Sequence, residues 1–251
     1  MARSYAAKAR PERPRVRVDE SGGTRTLVVD ETFASFYRPG EIATHCVWDA
    51  IAAPILWLRP ERRRRILILG LGGGSVARLA RALAPEAEIR GIELDRDVVR
   101  LAREHLDLDA LEIEIEIADA FEWLKTAPRS RGRYDVILED IFIGEGDDVH
   151  KPTWIPEPAH RLALKRLAKG GLLVSNTLDE RGRIVRAMRD AFPEIVSIET
   201  EDYDNSVLVG GGEGLSGRAL RARVAADPIL RESLPILSFR SEPRGSTTAR
   251  L

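Results

Sequence analysis

The stretch RILILGLGGGSVARLARALAPEAEIRGIEL, Arg65–Leu94, decides the fold of this chain. Its first apolar run, Ile66 to Leu69, has the length and branching of a strand buried on both faces. The run stops at Gly70, Gly72, Gly73 and Gly74, where the backbone can take positive φ and approach a ligand with no Cβ in the way. Ser75 is expected to cap a helix whose apolar spacing (Val76, Leu79, Ala80, Leu83) ends before Pro85. A second apolar strand, expected over 89–94, carries Glu93 near its C-terminal end. In a strand, glycine loop, helix and strand unit, an acid about 20 residues beyond the glycines meets the two ribose hydroxyls, and a carboxylate accepts from both. The unit reads as a nucleotide cradle.

Two ligand classes fit such a cradle, the dinucleotides and the S-adenosyl nucleotides. The third glycine of the dinucleotide fingerprint is absent, since Ser75 occupies its slot. Downstream, an expected strand over 111–117 runs into Asp119-Ala120-Phe121, with Leu124 beyond. An acid there can accept from an adenine amino group while Phe121 and Leu124 wall the base. The same Asp119 also suits a helix N-cap, with Glu122 completing a capping box, and the two roles are compatible. Tyr134 to Asp140 (YDVILED) is a fourth apolar strand with an acid at its tip. Acids after three strands of one sheet share the crevice at the carboxyl ends of those strands.

These segments, GLGGGSVARL, GIELDRDVV, IADAFEWL and RYDVILEDIF, together resemble the spermidine synthases and their relatives, the polyamine aminopropyltransferases. The upstream VDESGGTRTLVVDETF and GEIATHCVWDAIAAPI resemble that family's N-terminal β-hairpin region and the helix after it. KGGLLVSNTL and NSVLVGG resemble its closing strands, so the likeness spans roughly 16–212. It implies an α/β fold, the Rossmann-like class I methyltransferase sheet, mostly parallel with a terminal antiparallel hairpin and a small N-terminal β-hairpin region. It also implies an S-adenosyl nucleotide site of Gly70, Gly72, Gly73, Gly74, Glu93, Leu94, Asp119 and Ala120. Glu93 would serve the ribose, Asp119 the adenine, and Asp140 would be the acid beside the reacting centre.

Three departures bear on the chemistry. The family's glycine loop reads GGGDGG, and its acid helps hold the donor's amino end; here that position is Gly73. Its fourth-strand motif is DxxDP, and here the second acid is replaced by Ile143. Its Tyr-His pair after the hairpins is Thr44-His45. A desolvated, unpaired ammonium is costly, so the missing acids lean the expectation toward methyl transfer onto a small polar acceptor. Aminopropyl transfer from decarboxylated S-adenosylmethionine is the alternative, with Gly144–Asp148 as a source of substitute acids. A non-catalytic adenosyl-binding protein and an NAD-dependent oxidoreductase follow. Both transfers are displacements at a carbon on a sulfonium, so positioning matters most and Asp140 would take or steer the acceptor's proton. His45, Tyr37 and Phe142 are the candidate acceptor residues, with Trp154 and Tyr203 as further aromatic walls.

Composition sets the remaining bounds. A chain of 251 residues suits one large α/β domain with a small appendage. The expected division is a basic tail (1–15), a hairpin region and helix (16–58), the nucleotide-binding catalytic domain (59–212) and a C-terminal helical extension (213–251). Helices are expected near 42–58 (bent at Pro54), 75–84, 96–106, 119–126, 157–169, 179–191 and 216–226. A net charge of −1 gives no global field toward nucleic acid or acidic membranes. The run Arg62–Arg65 reads as a solvated loop, and the single cysteine, Cys46, as a core thiol in a reducing cytoplasm. No long apolar run suggests a membrane span. The four histidines, His45, His105, His150 and His160, are dispersed without metal-ligand spacing. The expected partner is a small-molecule acceptor, with no metal, nucleic acid or membrane, and a homodimer is allowed for.

Overall fold

Continuous apolar strands build the centre of the molecule, and their alternating side chains face opposite helix layers. The computed structural model describes residues 15–128, 132–201 and 203–243. The expected basic tail lies outside them except for Arg15, as does the end of the C-terminal extension. The first elements are short and antiparallel: β1 (Val16–Ser21), β2 (Thr24–Val29) and β3 (Thr32–Tyr37) form a three-stranded sheet. Gly22-Gly23 joins the first pair, and Asp30-Glu31, both left-handed, joins the second. Two-residue turns with positive φ match the twist of flanking strands, which is why tight hairpins use them.

The main sheet has eight strands: β4 (Arg65–Leu69), β5 (Glu88–Glu93), β6 (Glu114–Ile117), β7 (Tyr134–Glu139), β10 (Leu167–Thr177), β11 (Glu194–Thr200), β12 (Tyr203–Gly211) and β13 (Leu237–Ser241). A separate small hairpin, β8 (Ile143–Glu145) and β9 (Asp148–His150), lies between β7 and β10 in the chain. In the sheet the order is β6-β5-β4-β7-β10-β12-β11-β13. Strands β6 to β10 pair in parallel, and β12, β11 and β13 close the sheet antiparallel. Chain order reverses between β4 and β7, the switch point beyond which ligands sit in open α/β sheets.

Along β4, Ile66 and Ile68 enter one core with Val136, Leu138 and Val174, while Leu67 and Leu69 enter the other with Ile137 and Leu173. The first face is covered by α1 (Val47–Ala52), α2 (Ser75–Leu83) and α7 (Gly217–Ala226) through Ile51, Leu79 and Leu220. The second is covered by α4 (Ala120–Thr126), α5 (Ala159–Leu164) and α6 (Arg181–Arg189) through Leu124, Ala163 and Ile184. Each fully buried leucine or isoleucine among these contributes about 1.5–3 kcal/mol by leaving water. A third, smaller core (Leu27, Tyr37, Val98, Leu106) joins the N-terminal sheet to α3 (Arg96–His105).

Local details differ from those read in the sequence. The helix expected over 42–58 starts only at Val47 and gives way to a 3-10 turn over Ala53–Trp57 that contains Pro54. The buried Asp49 carboxylate is the cause: it accepts from Thr44 N, Thr44 Oγ1 and His45 N, which turns residues 44–45 away from helix. That helix packs within the main core, in the same hydrophobic cluster as Ile66 and Ile68. The C-terminal stretch expected as an extension adds β13 to the sheet edge and ties Ser233 Oγ to Asp49 Oδ2 at 2.6 Å. The acidic glycine loop after β7 is the β8–β9 hairpin, docked on the β2–β3 turn through Gly146 N donating to Asp30 O at 2.9 Å.

Candidate active site

The glycine loop is shaped from two sides. Gly70 N and Leu71 N both donate to Ile92 O, at 3.0 and 3.1 Å, which turns the chain sharply off β4. Gly70 has φ +82°, and a Cβ there would lie 2.5 Å from the Asp140 carbonyl oxygen. Asp140 N in turn donates to Leu69 O at 2.9 Å, so the ends of β4 and β7 close on one another at the switch point. From the N-terminal sheet, Ser35 Oγ accepts from Gly73 N at 2.7 Å. A Cβ at Gly73 would meet Leu106 Cδ2 at 2.7 Å and Ser35 Cβ at 2.8 Å. A side chain at the position where the resemblance anticipates an acid would therefore require Leu106 and Ser35 to shift.

Ser75 does not cap α2. Gly74, left-handed at φ +92°, stands at the N-cap, and Ser75 is the first helical residue. Its hydroxyl accepts from Phe36 N and donates to Phe36 O, both at 2.9 Å, stitching the loop to β3.

Glu93 ends β5 with Oε2 accepting from Gly72 N at 2.8 Å and Oε1 from Asp95 N at 3.0 Å. Burial raises its pKa, against the lowering effect of those N–H donors. Glu93 pairs in register with Ile117, and both Leu94 (67% exposed) and Ile117 (46% exposed) are unusually open for large apolar residues. Exposed apolar side chains beside a half-buried acid suit a nucleoside, which presents a flat base and two hydroxyls. Asp119 is the N-cap of α4, with Oδ1 accepting from Glu122 N at 2.9 Å, and Ala120 opens the helix. Glu122 turns instead to Lys125 at 2.8 Å, so the capping box is half formed.

Asp140 sits just past β7. Its Oδ1 accepts from Asn176 Nδ2 at 2.8 Å, Asn176 Oδ1 accepts from Asn205 Nδ2 at 3.0 Å, and the Trp48 indole N–H also donates to the carboxylate. Burial raises the Asp140 pKa, and neighbouring Glu139 adds to it, while Lys151 and the two donors oppose. The Trp48 ring packs edge-on against the exposed Phe33, centroids 4.9 Å apart. An acid, two amides and two aromatics thus line the approach to the switch point.

The acceptor candidates separate. Phe142 is half-buried with the Lys151 ammonium 3.9 Å from its ring centre. His45 is exposed beside α1, in a left-handed conformation at φ +52°. Tyr37 is a packing residue here: it is buried among Leu27, Val98 and Leu106, with the Arg78 guanidinium 4.4 Å over its ring. Trp154 stacks on Phe121 at 5.2 Å and joins the core under α5. Tyr203 donates to Cys46 Sγ at 3.3 Å. Of Arg62–Arg65, Arg63 donates to the carbonyls of Leu56, Leu58 and Leu83 and is a structural tie rather than a solvated charge.

Trp48, Ser35, Asn176, Asn205 and Lys151 escaped the reading of the sequence. Asn176 carried one usable signal, an amide at the carboxyl end of an apolar strand. The others lie on elements whose pairing with the glycine loop no local pattern encodes. Among the described residues no group of three His, Cys, Asp or Glu is placed to hold a metal ion, and no helix is long and apolar enough to cross a membrane.

Comparisons with known proteins bear on the family and the fold. The family model described as "Methyltransferase domain" matches residues 62–215. A probable polyamine aminopropyl transferase of Bifidobacterium longum is 30% identical over 58% of this chain and 31% of its own length. Polyamine aminopropyltransferase 1 of Hyperthermus butylicus is 30% identical over 61% of this chain and 53% of its own. The chain thus spans about half or less of the length of these curated relatives. A probable spermidine synthase from Corynebacterium glutamicum superposes with a TM-score of 0.71 over 90% of this chain and 87% of its own, at 22% identity. That likeness bears on fold. The relatives are transferases, and their names fit aminopropyl transfer better than the methyl transfer expected above.

Proposed function

We propose that this chain, which belongs to the methyltransferase-domain family and to its spermidine synthase-like group, transfers an aminopropyl group from decarboxylated S-adenosylmethionine to a small amine. The observation that carries the reading is the half-buried Asp140 carboxylate, held by Asn176 and Trp48 at the switch point beside Gly70. In the reaction the acceptor nitrogen bonds to the carbon next to the sulfonium as the carbon–sulfur bond breaks, and sulfur keeps the electron pair. The nitrogen's surplus proton needs an oxygen base, and Asp140 is the acid at the switch point, its pKa raised by burial in the direction that makes it a stronger base. Its negative charge also offsets the cost of drawing an ammonium out of water before it is deprotonated. Glu93, with N–H donors fixing both its oxygens, would hold the ribose hydroxyls, and Leu94 and Ile117 would lie against the base.

The test is product identity. With decarboxylated donor and a panel of small amines including putrescine, methylthioadenosine is expected as the nucleoside product. Methyl transfer is the second reading, favoured by one feature: the Gly73 site leaves no acid there to repel a donor carboxylate. Release of S-adenosylhomocysteine from S-adenosylmethionine, with the decarboxylated donor inert, would put methyl transfer in its place.

Replacing Glu93 with alanine is expected to weaken methylthioadenosine binding by about 1.5–3 kcal/mol, the range for hydrogen bonds to a charged acceptor. Calorimetric titration of the folded variant checks this, and an unchanged affinity removes Glu93 from the site.

A further inference from the structure

Directly beneath Asp140 lies a buried ionic cluster that neither the glycine loop nor the nucleoside site uses. The Lys151 side chain is fully buried, and its Nζ donates to Glu139 Oε1 at 2.6 Å and to Ile141 O at 2.9 Å. Glu139 Oε1 also accepts from Ile141 N at 2.8 Å, and its Oε2 from Ser175 Oγ at 2.5 Å. The Asp140 peptide is therefore clamped on both sides, at 139 and 141, by one ammonium and one carboxylate. Lys151 N in turn donates to Glu180 Oε1 at 2.7 Å, so the residue that follows β9 is pinned in backbone and side chain together.

A structural brace needs no charge at this depth, since buried ion pairs are often replaceable by apolar groups at little cost in stability. Here the pair lies against a catalytic acid candidate, and each member acts on it with opposite sign. We propose that Lys151 is a positioning residue for Asp140: it fixes the backbone that presents the carboxylate and, balanced against Glu139, sets the charge that carboxylate carries. The inference rests on the role given to Asp140 above. The groups that face Asp140 from the surrounding elements are few. Glu139 lies on its own strand and Lys151 follows β9. Asn176 comes from β10, with Asn205 behind it on β12, and Trp48 from α1. His160 on α5 faces Glu139, Nε2 to Oε2 being 3.8 Å, and Asp49 on α1 is turned away toward Thr44, His45 and Ser233.

Two variants that break the same pair separate positioning from bracing. In protein labelled with carbon-13 at the aspartate carboxyls, Asp140 is assigned by its loss in Asp140→Asn, and its titration midpoint is followed by NMR. Lys151→Met removes the cation and is expected to raise the midpoint by about one pH unit, while Glu139→Gln removes the competing anion and should lower it by a similar amount. Glu139→Gln keeps an oxygen for Lys151 and for Ile141 N–H, so it also serves where the Lys151 variant fails to fold. Midpoints that stay put, or that move the same way in both variants, overturn the proposal and leave Lys151 as a brace. Methylthioadenosine titration of the wild-type protein is run alongside. Its failure would count against the transferase reading, whereas binding with unmoved midpoints would count against Lys151 alone.

Discussion

Asp140→Asn is expected to lower turnover on the order of a hundredfold while leaving methylthioadenosine affinity unchanged. Asparagine keeps an oxygen to accept from Asn176 Nδ2, so the shape of the pocket survives. What it removes is the negative charge and the basic lone pair, and positioned general bases contribute about 10²–10⁴-fold. A hundredfold loss corresponds to about 2.7 kcal/mol of barrier. Because burial raises the Asp140 pKa, the wild-type rate should fall on acidification at a pH above the ordinary carboxylate range, as the base becomes protonated. The asparagine variant should lack that acid limb. Steady-state rates across pH in the two proteins check both points, and equal turnover would make Asp140 a structural residue.

The second large effect falls on stability. Glu139→Ala should cost about 3–5 kcal/mol, the usual penalty for removing one partner of a buried pair. Lys151 would then be left buried with a carbonyl and an aromatic face but no counter-charge. Glu139 is held at a pKa of about 2 against an ordinary 4.5: burial pushes it up, but Lys151 and His160 outweigh that. A pKa depressed by folding adds stability that is fully present above the unfolded value and is lost as pH falls through the folded one. The wild-type protein should therefore lose about 3 kcal/mol between roughly pH 4.5 and pH 2 through this group. The Glu139→Ala variant should show that much less acid sensitivity. Urea titrations at neutral and acid pH measure both, and a neutral-pH loss below about 1 kcal/mol would mean that solvent reaches the pair.

What the sequence determined by itself is the scaffold and the strand ends on which three acids stand. Residues 65–94 carry a doubly buried strand, a run of glycines, a helix and an acid within one short window, and each signal there is local: apolar periodicity, backbone freedom, a strand end. The strands β4 to β7 and β10 to β12 were read within a few residues while β8, β9 and β13 were not read, and Glu93, Asp119 and Asp140 stand at or just past the ends of β5, β6 and β7. Tertiary structure decided the rest. Whether Tyr37 faced an acceptor or α3, whether Gly73 left room for a side chain, and which groups would hold Asp140 all depend on contacts between distant segments. Ser35 meets Gly73 across 38 positions, Asn176 meets Asp140 across 36, and Lys151 meets Glu139 only after a hairpin folds the chain back. Periodicity says which face of an element is buried, but not what it is buried against. A polar residue in an apolar strand, such as Ser175 or Asn176, reads as an exception until the sheet places it beside the carboxylate it serves.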